Sequence, residues 1–202
     1  MLRPYPSTGM KAFTLHHAAK GAAVSAWEAA EVRFCRLYAA AFLGNPSDKD
    51  NAAVQAYGSP LNFKDRFDVL QSATTRYFQH RCHQVLEGDF LDIAELARKL
   101  SVRRNEIVHS VVRPVIFKRT LENPDGQTLQ WVNKFRFFLV PPTYTDRKYD
   151  SRNRPAFMYT SVEINEYGTW FTYTGLAALN LALRLSNPRM EPFGRKHPLP
   201  KT

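Results

Sequence analysis

Within the eight residues Arg103-Arg104-Asn105-Glu106-Ile107-Val108-His109-Ser110 the chain holds a guanidinium, a carboxamide and an imidazole in Arg104, Asn105 and His109. Histidine titrates near neutrality, so it can act as general acid or base. The planar fork of arginine fits a phosphate and can stabilise charge developing on a pentavalent phosphorus. RNA carries its own nucleophile, the 2′-hydroxyl. One His and one Arg are therefore chemically sufficient for RNA transesterification, with no metal or other cofactor required. On a helix Asn105 and His109 are four apart and share a face. Arg104 precedes His109 by five residues, about 140° around the helix. That offset favours a composite site at a two-fold interface, where the arginine of one subunit meets the histidine of the other.

The elements that must position these residues are helical. Ile93, Leu96, Ala97, Leu100, Arg104, Ile107, Val108 and Val111 step along one face, apolar except at Arg104. An arginine on such a stripe needs a carboxylate (Glu28 or Glu31 of the first helix), a phosphate or a water-filled cleft, because burying it unpaired is costly. Gly88-Asp89 is read as the start of this helix, with Asp89 as cap, and Pro114 as its stop near Arg113. Upstream, the periodicity predicts a helix from Ala18 to Leu43, stopped by Gly44-Asn45-Pro46. A short polar segment, 48–58, reads as a turn of helix or a loop. A further helix opens after Ser59-Pro60 and carries Phe63, Phe67, Leu70, Tyr77 and Phe78. Residues 1–17 read as a loosely ordered arm, with His16 and His17 on the surface.

Downstream the period changes. Val112 to Leu121 and Gln127 to Val140 read as two strands joined at Asn123-Pro124-Asp125-Gly126, a β-hairpin. Thr160-Ser161-Val162-Glu163 has the pattern of a capping box and opens a long helix to about Leu185. Its candidate core contacts are Ile164, Tyr167, Phe171, Leu176, Leu179 and Leu183. Residues 187–202 read as a mobile basic tail.

The formal net charge is +10 over 202 residues, and it is uneven. Residues 113–154 hold nine Lys or Arg against four acids, and 184–202 hold five against one. Such clusters suit a polyanionic partner, since cations that displace counterions from phosphates gain affinity. The loop 143–155 interleaves Tyr144 and Tyr149 with Arg147, Lys148, Arg152 and Arg154, a mixture suited to stacking and phosphate contact on single strands. Candidate RNA contacts are thus Arg103, Lys118, Arg119, Arg147, Lys148, Arg152 and Arg154. No helix-turn-helix with a basic recognition helix is visible, which argues against a DNA-binding regulator. His80, Cys82 and His83 lack the second half of a zinc-ligand pattern, so no metal site is expected. Cys35 and Cys82 lie in helical patterns and are read as thiols of a reducing compartment. With no apolar run of membrane length and no signal-peptide core, the expected location is cytoplasmic, without membrane attachment.

Arg104-Asn105-Glu106-Ile107-Val108-His109, at the end of a late bundle helix, resembles the R-x4-H motif of the HEPN superfamily. The resemblance covers roughly residues 20–113 and 160–186. It implies a mainly α fold: an up-and-down helical bundle, one domain over 1–202, interrupted by the 113–158 hairpin and basic loop between the motif helix and the last long helix. It further implies a homodimer that joins two motifs. Many members are metal-independent endoribonucleases, often toxins or defence effectors held by an antitoxin or regulatory protein. Carried onto this chain, Arg104 would stabilise the phosphorane, His109 would act as acid/base or position the 2′-hydroxyl, and Asn105 would orient His109 or the phosphate. Other members are non-catalytic nucleic-acid-binding or protein-interaction modules. A nuclease needs Arg104 and His109 accessible, whereas such a module would bury them in satisfied hydrogen bonds.

Overall fold

The computed structural model describes residues 9–43, 51–81, 83–122, 128–143 and 154–187, with backbone alone at 51, 117–122 and 128–134. Among the described residues five helices and one hairpin follow in order: α1 (Met10–Leu43), α2 (Asn51–Gly58), α3 (Phe63–Arg81), α4 (Gln84–Val108), β1 (Val111–Glu122), β2 (Thr128–Val140) and α5 (Ser161–Ser186). The chain is mainly helical with a small antiparallel hairpin. Among the described residues no helix is long and apolar enough to cross a membrane. Two compact units are formed, Met1–Ser25 with Val102–Thr169, and Ala26–Ser101 with Trp170–Thr202.

The second unit holds the larger apolar cluster. Trp27, Phe34, Leu37, Phe67, Leu70, Phe171, Leu181 and Leu185 are almost fully buried. The Trp27 ring meets Phe63 and Phe171 edge-on, at centroid distances of 4.8 and 5.1 Å. Its Nε1 donates to Glu31 Oε1 at 2.6 Å, and Arg66 Nη2 donates to the other Glu31 oxygen at 2.5 Å. Leu183 is exposed and sits outside the core stripe expected of α5.

Gly175 of α5 lies against Ala30 of α1. An added Cβ would stand 2.8 Å from the Ala30 Cα, closer than real contacts allow. Gly175→Ala is therefore expected to lower stability by about 1–3 kcal/mol through overpacking, although alanine is the better helix former. In the first unit, a Cβ at Gly168 would meet the Ala23 Cα at an ordinary 3.4 Å. Gly168→Ala should hold or raise stability. Urea midpoints of the two variants test the contrast, and equal midpoints would remove the close-approach account.

Three boundaries differ from the sequence reading. α1 begins at Met10 rather than Ala18. Gly9, at φ 82°, starts it, and its carbonyl accepts from Ala12 N and Phe13 N. Ala12, His16, Ala19 and Ala23 then form a buried stripe, so His16 is a core residue whose Nδ1 donates to the Ala12 carbonyl at 2.8 Å. His17 is exposed as expected. α4 runs unbroken through Gly88-Asp89 from Gln84. Asp89 is no cap but the partner of Arg184 on α5, at 2.5 Å. α4 also stops at Val108, five residues short of the expected end.

The hairpin matches the expected strands closely, with Val111 opposite Val140 and Leu121 opposite Gln130. At its base Leu139 and Tyr159 exchange two backbone hydrogen bonds, of 2.9 and 3.0 Å. Tyr159 and Thr160 lead into α5 through the capping box. Thr160 N donates to Glu163 Oε2 at 2.8 Å, and Glu163 N donates to Thr160 Oγ1 at 3.2 Å.

Candidate functional site

The end of α4 is closed by side chains, in the absence of a terminating glycine. Ser110 Oγ donates to the carbonyls of Glu106 and Ile107, two acceptors the helix would otherwise leave open. Lys20 of α1 donates from Nζ to the Ser110 carbonyl at 2.8 Å. A cation there suits the negative end of the helix dipole. Burial lowers the Lys20 ammonium from the ordinary lysine range. The β-branched run Val111-Val112 then takes the chain into β1 within two residues of His109.

On this turn Arg104 is half-buried, and its Nη1 donates to Asn105 Oδ1 at 3.1 Å. Asn105 and His109 are exposed. The carboxamide therefore engages the arginine, while the imidazole is open and makes no side-chain hydrogen bond among the described residues. Only the backbone links the last two, His109 N donating to the Asn105 carbonyl at 3.1 Å. The structure thus brings Arg104 and Asn105 together, with His109 one turn on at the helix end.

The other residues of the stretch are structural in a way the sequence reading missed. Arg103 and Glu106 are partly buried and paired. Arg103 Nη1 donates to Glu106 Oε2 at 3.0 Å and to Tyr159 Oη at 3.3 Å. The Tyr159 hydroxyl donates to the same carboxylate. Arg103, read from sequence as an RNA contact, therefore has its guanidinium committed to Glu106. Hydrogen bonding to Glu106 strengthens the Arg103 charge. Burial, then the bond to Glu106, pushes the Tyr159 hydroxyl well above its ordinary range. Burial also raises Tyr167, whose ring lies edge-on to Tyr159 at 5.4 Å. No local signal could have announced this cluster, because Glu106 and Tyr159 are 53 residues apart.

The platform makes a prediction about stability. Tyr159→Phe leaves a partly buried carboxylate short of a donor and should cost about 1–3 kcal/mol near neutral pH. The folded chain holds the Tyr159 proton more tightly than the unfolded chain does. Its contribution is therefore complete below the unfolded tyrosine value of about 10 and is lost as pH rises above it. Urea unfolding of both proteins from pH 8 to 11 should show wild-type stability falling more steeply. Parallel curves would detach Tyr159 from that fall.

Arg154 is exposed. Lys118 and Arg119 lie in β1, at the register positions opposite Asn133 and Val132 of β2. Arg147, Lys148 and Arg152 lie outside the described residues, as do the tail 188–202 and Cys82. Cys35 is a free, half-buried thiol, raised by burial. Among the described residues no three His, Cys, Asp or Glu side chains converge as metal ligands. The chain matches no protein-family model, no curated protein and no solved structure.

Proposed function

We propose that this protein is a metal-independent endoribonuclease that cleaves RNA by 2′-hydroxyl transesterification at a site shared by two subunits. The observation that carries the reading is the exposed His109 imidazole, one turn beyond the Arg104–Asn105 pair on an anchored helix end. An accessible imidazole can take the proton of a 2′-hydroxyl or give one to the leaving 5′-oxygen. The Asn105 carboxamide holds the Arg104 fork, which reduces the motion lost when that fork meets a phosphate. Arg103, Glu106 and Tyr159 position the turn from beneath and do not touch substrate. The resemblance to HEPN proteins supports the dimer and the roles given to Arg104 and His109, and it extends the proposal to a toxin or effector restrained by a partner protein.

The test is cleavage of labelled RNA in EDTA by wild type and by His109→Ala, with product ends identified. Wild type should leave 2′,3′-cyclic phosphate and 5′-hydroxyl ends, and the variant should leave the RNA whole. Intact RNA with wild type across varied substrates would reduce the protein to a non-catalytic binding module, and equal cutting by both would remove His109 from the chemistry and sink the proposed mechanism.

A further inference from the structure

His109 stands at the wrong end of a helix for a phosphate. The last turn of a helix carries partial negative charge on its open carbonyls, which repels an anion. The end of α4 is treated against this twice. Ser110 Oγ covers the Glu106 and Ile107 carbonyls, but a hydroxyl brings no charge. Lys20 Nζ covers the Ser110 carbonyl at 2.8 Å, and it brings a full positive charge to the residue that follows His109.

The placement of Lys20 follows from α1. That helix buries Ala12, His16, Ala19 and Ala23 in one stripe. Phe13, His17 and Lys20 recur at four and three residues along the flank of the stripe. Phe13 and His17 are exposed, with ring centroids 4.4 Å apart, and Lys20 continues their line half-buried. Among the described residues no carboxylate pairs with Lys20. An ammonium has three protons to donate, and the Ser110 carbonyl takes one of them. Partial burial, which lowers the ammonium from the ordinary lysine range, also weakens the screening between it and an anion. The neighbouring Arg103 is committed to Glu106. In a site shared by two subunits Arg104 comes from the other chain, so Lys20 is a cation that the His109 chain supplies itself.

We propose that Lys20 is a phosphate-binding residue of the site at His109. One proton of its ammonium stays on the Ser110 carbonyl, and a second is given to a phosphate oxygen of the bound RNA. The inference rests on RNA being the substrate of that site. It makes the site three-part, with His109 and Lys20 from one chain and Arg104 from its partner.

The experiment measures affinity for a labelled 2′-O-methyl oligouridine by fluorescence anisotropy across a salt series. The methyl group blocks the nucleophile, so the full chain can be used with His109 intact. Lys20→Gln removes the charge and keeps a donor for the Ser110 carbonyl. It should flatten the slope of log affinity against log salt by about 0.7, the share of one cation on a single strand. Lys20→Arg should retain the wild-type slope. Ser110→Ala loosens the same helix end and leaves the charge in place, so it should retain the slope too. An unchanged slope in Lys20→Gln overturns the proposal. So does a flattening in Lys20→Arg or in Ser110→Ala equal to that in Lys20→Gln, which would make Lys20 a helix cap and no more. Cutting of unmodified RNA by wild type is scored separately. Cutting with an unchanged slope removes Lys20 from the site, and a slope that depends on Lys20 without cutting removes the nuclease and leaves the phosphate contact.

Discussion

Mixing two inactive chains, Arg104→Ala and His109→Ala, is expected to restore RNA cleavage to about a quarter of the wild-type level. Each substitution alone should remove most of the activity. Losing a general acid or base costs about 10²–10⁴-fold, and losing a donor to the developing phosphorane charge costs about 10²–10³-fold. The recovery follows from two-fold symmetry. If each site takes Arg104 from one subunit and His109 from the other, a mixed dimer contains one intact site and one doubly damaged site. Random pairing makes about half the dimers mixed, each with half its sites working. The two chains must be refolded together so that subunits exchange. The structure motivates the test because Arg104 bonds its own neighbour Asn105, while His109 of the same chain lies open at the helix end. Absence of recovery, with dimers verified, would place both residues of each site in one chain.

The second large effect is on folding. Trp27→Ala should destabilise the protein by about 3–5 kcal/mol, the cost of emptying a large aromatic site in a packed core. Trp27 is fully buried, touches Phe63 and Phe171, and bonds Glu31. Trp27→Phe keeps an aromatic ring and removes the indole N–H, while Glu31 retains Arg66. Its cost should therefore sit near the low end of the roughly 1–3 kcal/mol for a buried acceptor that loses a donor. Urea denaturation of the three proteins checks the order. A Trp27→Ala variant within about 1 kcal/mol of wild type would mean that the cavity collapses or fills.

The parts of this fold legible in the sequence are those set by short-range chemistry. Asn123-Pro124-Asp125-Gly126 between two β-rich runs was enough to find both strands, and Thr160 with Glu163 marked the start of α5. The stripe on α4 was also readable, with Ile93, Leu96, Ala97, Leu100 and Ile107 buried and Arg104 half-buried among them. What escaped was set at long range. Gly88 is tolerated inside α4, where Asp89 meets Arg184 from 95 residues away. The early stop at Val108 depends on Ser110 and on Lys20, 90 residues apart in sequence. At the candidate site, Arg104, Asn105 and His109 were visible by type and spacing. The cluster of Arg103, Glu106 and Tyr159 was not, since a surface-looking i, i+3 ion pair becomes part of a half-buried network only once Tyr159 arrives.

That arrival has a consequence for the order in which the protein is made. A chain emerging from the ribosome folds its early portions first. α4 and the residues of the motif leave well before Tyr159, which follows Glu106 by 53 positions. Until then the Glu106 carboxylate lacks its tyrosine, β2 lacks the backbone partner of Leu139, and α5 has not begun. For a protein proposed to cut RNA, this separates synthesis of the motif from completion of the platform that holds it. A nascent chain on its own messenger would hold no assembled site until Tyr159 had emerged.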